Sequence, residues 1–120
     1  MRDRDGHACV RCGSPRDLTT QHRVARGMGG TRASWINEPA NLITLCGSGT
    51  TGCHGWVEAN PTMGRHLGLS VSRYGLPPAE VPVLTWRDGF VLLDNHGGWT
   101  LVPEADVPDI PDFGVCAVLA

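Results

Sequence analysis

The chain has no lysine: all ten of its basic side chains are arginines, and twelve carboxylates outnumber them for a formal charge of −2. That balance excludes the broadly basic surface on which phosphate binding usually rests. Aromatic residues are scarce at 6%, while sixteen glycines and nine prolines interrupt the 120 residues, which argues against long packed helices or broad sheets. Missing too is any apolar run near the roughly 20 residues that cross a bilayer. The opening Met1-Arg2-Asp3-Arg4-Asp5 alternates charge where a signal peptide shows a basic and then an apolar region. The expectation is a cytoplasmic protein with no membrane partner.

What is present is a framework of cysteines. A chain this short buries a modest core and gains from a covalent or metal staple. Four of the five cysteines fall as two close pairs, Cys9/Cys12 and Cys46/Cys53, with Cys116 far away. In a reducing compartment such pairs favour a metal over disulfides, and four thiolates suit a tetrahedral structural Zn²⁺. Six residues separate Cys46 from Cys53, wider than a usual knuckle, so His54 in place of Cys53 stays open as the fourth ligand. Buried free thiols are the plain alternative. A redox pair at Cys9 and Cys12 is a further one, but no βαβ pattern surrounds it.

Charge is unevenly distributed. Residues 1–60 hold seven arginines and five acids, whereas residues 61–120 hold three arginines and seven acids. The expected division follows that line: a zinc-stapled module over 1–60 and an acidic, β-rich extension over 61–120, packed on the same domain.

The patterning predicts an α+β protein. Residues 18–24, rich in β-branched side chains, read as a strand carrying Gln21 and His22; residues 27–39 read as a loop; residues 41–46 read as a second, antiparallel strand. A short helix is expected over 54–60, stopped by Pro61. Residues 81–86, 90–94 and 99–102, with turns at Asp88-Gly89 and Gly97-Gly98, predict a small β-meander.

In order, Cys9-x-x-Cys12, then Gln21-His22-Arg23-x-Ala25-Arg26-Gly27-Met28-Gly29-Gly30, then Asn41-Leu42-Ile43-Thr44-Leu45-Cys46 and Cys53-His54, resemble the HNH endonuclease family over roughly residues 5–60. The similarity is greatest to small members from bacteriophages and high-GC bacteria. It implies a ββα-metal core with a four-cysteine zinc site, and a DNA endonuclease leaving 5′-phosphate and 3′-hydroxyl ends. It assigns His22 as general base, Asn41 as the amide bracing the hairpin, and His54 as ligand of one catalytic divalent cation, whether Mg²⁺, Mn²⁺, Ni²⁺ or Zn²⁺. It further implies host cytoplasm and a packaging partner such as terminase. The family usually places Asp or His before the base as a second ligand; this chain has Gln21, whose amide oxygen binds metal more weakly. Arg23, Arg26 and Arg32 flank the expected site as candidate DNA-phosphate contacts. The competing expectation is a noncatalytic zinc-binding module that contacts DNA or protein.

Overall fold

A computed structural model describes residues 3–25 and 34–109. Strands β1 (Leu18–His22) and β2 (Leu42–Cys46) form an antiparallel hairpin, with Gln21 opposite Ile43 and His22 opposite Leu42. β2 buries Ile43, Thr44 and Leu45, whereas β1 keeps Thr20 in solvent, so one strand lies deeper than the other. Helix α1 (Gly52–Ala59) follows a tight turn after β2, and α2 (Pro61–His66) follows directly. Strands β3 (Val83–Thr85), β4 (Gly89–Leu93) and β5 (Trp99–Leu101) form a separate antiparallel sheet in the order β3-β4-β5.

The expected α+β order of strand, loop, strand, helix and meander is therefore present, with three differences of detail. β1 ends two residues early, because Val24 gives its N–H to the side chain of Asn41 instead of to a strand partner. α1 begins at Gly52, which puts Cys53 as well as His54 in its first turn. Pro61 does end α1, but it also opens α2: a proline at the first helical position loses no hydrogen bond and already has helical φ.

The knuckle segment joins the two sheets. Val10 donates its N–H to Thr44 O at 2.8 Å and accepts from Trp86 N at 2.9 Å, bridging β2 to the end of β3. Beside it the Asp5 carboxylate, paired with the buried Arg4 guanidinium, accepts from Thr44 N at 3.0 Å. One apolar cluster then unites the halves: Ile43 and Leu45 of β2, Val57 of α1, and Leu67, Val83 and Val91 from beyond residue 60. At about 25 cal/mol per Å² of apolar surface, this shared burial is the chief reason the acidic half stays on the hairpin. No helix among the described residues is long and apolar enough to cross a membrane.

Candidate metal centre and candidate active site

The four sulfurs of Cys9, Cys12, Cys46 and Cys53 lie within 4.8 Å of one another, and Cys12 Sγ and Cys46 Sγ are 3.7 Å apart. Tetrahedral Zn–S bonds of about 2.3 Å require sulfurs about 3.8 Å apart, so the cluster has the dimensions of a structural Zn²⁺ site. All four are free thiols. Local backbone explains how the widely spaced second pair converges. Gly47 and Gly52 both take positive φ, at +88° and +61°, and a Cβ on Gly47 would fall 2.0 Å from Thr51 O. The chain thus doubles back on itself between Cys46 and Cys53, and Cys53 N–H donates to Cys46 Sγ at 3.4 Å. Cys53 is the ligand this geometry supplies, and His54 points elsewhere.

Thiols packed this closely share their first negative charge unequally. The contact with Cys53 and backbone hydrogen bonds hold Cys9 down to about 4, against the opposing effect of burial. The same contact, with burial, pushes Cys53 up, and burial raises Cys12. A divalent cation resolves this competition by accepting all four as thiolates. The cluster is graded in exposure: Cys9 is fully buried, Cys53 nearly so, and Cys12 exposed.

His54, one residue beyond the cluster, is oriented by β1. Its Nδ1 lies 2.7 Å from Thr19 Oγ1, which also contacts Leu45 O and Gly47 O at 3.1 and 3.0 Å. Thr19 has one hydroxyl proton and both carbonyls can only accept, so with that proton spent on a carbonyl Thr19 accepts from Nδ1–H. The Nε2 lone pair of a neutral ring is left facing Glu58, whose Oε1 lies 3.9 Å away one turn along α1. That separation is too long for a hydrogen bond, but two metal–ligand bonds of about 2.1 Å can span it. An imidazole nitrogen beside a carboxylate is a donor set that fits a divalent cation. Neither Thr19 nor Glu58 stands out in the sequence as a site residue; the i,i+4 spacing of His54 and Glu58 on a helix was the available signal.

Gln21 is buried, and strand alternation puts it on the face of β1 that also carries Thr19. His22 projects from the other face at the end of the strand, with Nε2 2.9 Å from Asn37 Oδ1. An amide oxygen only accepts, so Nε2 carries the proton and Nδ1 keeps its lone pair. His22 lies at the end of β1 and His54 in the first turn of α1, and the two share no hydrogen bond.

Asn41 is 1% exposed and fully engaged. Its Oδ1 accepts from Val24 N at 2.8 Å, and its Nδ2 donates to Ile36 O at 2.8 Å and to Val24 O at 3.3 Å. The side chain thereby ties the segment that follows β1 to the segment that precedes β2.

Arg23 requires a correction. The expected phosphate contact has a guanidinium 1% exposed that donates to Gly68 O, Ala40 O, Pro78 O and Val81 O at 2.6–2.9 Å. Strand alternation turns it away from His22, and carbonyls from three segments converge on it, so it is an interior brace with no face for DNA. Burial, with Arg4 adding repulsion, pulls it down to about 9, which leaves it a cation at neutral pH. Arg26 and Arg32 lie outside the described residues.

What the chain displays, then, is a small α+β domain with a four-cysteine site suited to zinc and a histidine–carboxylate pair beside it. No family model, curated protein or solved structure matches it.

Proposed function

We propose that this protein is a metal-dependent DNA endonuclease of HNH type, with His22 as general base and His54 as a ligand of the catalytic cation. The observation that carries the reading is the orientation of His54. A threonine on β1 fixes its tautomer, its free Nε2 faces Glu58 on a helix anchored by the cysteine cluster, and His22 sits at the end of the same strand. The motif order described above supports the same assignment.

A divalent cation bound by His54, with Glu58, would neutralise charge on the phosphate and stabilise the departing oxygen. The remaining work falls to the chain. Asn37 holds Nε2–H, so the Nδ1 lone pair of His22 is the base. It takes a proton from the attacking water as the new P–O bond forms and the P–O3′ bond breaks. Asn41 keeps the strand end from shifting, which matters because a 1 Å displacement of a catalytic group can cost about 100-fold. Host cytoplasm and a DNA-packaging partner such as terminase extend this proposal through the resemblance alone.

The alternative, a noncatalytic zinc module, is favoured by Gln21, a neutral amide where the family places a charged or imidazole ligand. Binding of Mn²⁺ to zinc-loaded protein decides between them. Wild type binds one ion, and His54→Ala and Glu58→Gln each weaken it; binding unaffected by both substitutions contradicts the proposed cation site.

A further inference from the structure

Arg11 sits inside the first cysteine pair yet acts on the second. While Val10 turns into the core, the Arg11 side chain reaches across to α1, where Nη1 donates to Cys53 Sγ at 3.4 Å. Its guanidinium carbon lies 3.9 Å over the ring of Trp56. The two contacts reinforce each other: the indole face positions a planar cation, and the cation's N–H meets the sulfur of a neighbouring residue on the same helix. Four thiolates around Zn²⁺ leave the centre with two excess negative charges, and Cys53 sits in its buried part, where compensation by water is poor.

We propose that Arg11 is a positioning residue for the metal centre. It spans the two knuckles, offsets the charge on the Cys53 thiolate and, braced on Trp56, slows loss of the ion from the α1 side. The inference rests on zinc occupancy of the four cysteines and is independent of whether the protein cuts DNA.

The test is the rate of zinc transfer from purified protein to a chromophoric chelator in excess, with folding checked by circular dichroism before mixing. A charged donor to an acceptor that stays charged contributes enough for Arg11→Ala to release zinc roughly tenfold faster or more. Arg11→Gln, which keeps a donor but no charge, should also release faster than wild type. Trp56→Leu should fall between wild type and Arg11→Ala, and the double variant should release no faster than Arg11→Ala alone, because the ring acts through the guanidinium. If Arg11→Ala does not fold, the Gln and Trp56→Leu variants carry the test. Release within twofold of wild type in the folded Arg11 variants would overturn the clamp while leaving the zinc site standing. Protein purified without stoichiometric zinc would overturn both.

Discussion

Replacing Arg23 by Met keeps most of the buried stem and removes the guanidinium. The carbonyls of Gly68 and Ala40 lose a fully buried partner, at about 1–3 kcal/mol each, and those of Pro78 and Val81, nearer water, lose roughly 0.5–1 kcal/mol each. Against that, no carboxylate among the described residues pairs with Arg23, so its removal recovers part of the several kcal/mol spent desolvating a cation. The balance is a loss of roughly 2–4 kcal/mol from a total stability of about 5–15 kcal/mol. For a domain of this size the melting temperature should fall by roughly 10 °C. Urea unfolding followed by tryptophan fluorescence measures it. Arg23→Lys should lie between, since one ammonium cannot reach four separated carbonyls. An unchanged midpoint in Arg23→Met, together with weakened DNA binding and a shallower salt dependence, would refute the interior brace and restore the phosphate contact.

Removing zinc with a strong chelator should unfold α1 and the knuckle, because ion binding at such sites is itself folding free energy, and loss of helical circular dichroism reports it. Asn41→Ala should cost roughly 2–4 kcal/mol in urea unfolding, since Ile36 O and both polar groups of Val24 lose their partner at once. Asp94 accepts from the backbone N–H groups of Gly98 and His96 and is held below the usual carboxylate range. Its contribution is therefore present above the unfolded value of about 3.9 and lost as pH falls through the lower folded value. Asp94→Asn should lower stability modestly at neutral pH and converge on wild type as pH falls below about 3.9, which flattens the acid limb of the profile; urea midpoints measured across that range check it.

Those elements that follow from local chemistry were readable in advance. The hairpin strands, the meander and the position of α1 come from β-branched runs, turn glycines and Pro61, each acting over a few residues. The cysteine cluster was readable as well, although the doubling back at Gly47 and Gly52 that closes its second pair is visible only in three dimensions. The arginines show where sequence stops. Arg4 and Arg23 look like surface cations, and both are interior, because the carbonyls that receive them come from segments up to 58 residues away in the chain. Nothing local marks such a convergence. Glu58 shows the reverse case: on the sequence it is an ordinary helical carboxylate, and its place 3.9 Å from a His54 ring held by Thr19 is visible only in the structure.

The most direct test of the nuclease reading is cleavage of supercoiled plasmid by zinc-loaded protein in Mg²⁺, Mn²⁺, Ni²⁺ or EDTA, alongside His22→Ala. The account predicts nicked or linear product that requires added divalent ion, is abolished by EDTA, and disappears in a His22→Ala variant that keeps its fold and its zinc. Equal cutting by both proteins would remove His22 from the chemistry. No cutting by the zinc-loaded wild type in any of the ions would contradict the enzyme and leave a four-cysteine scaffold.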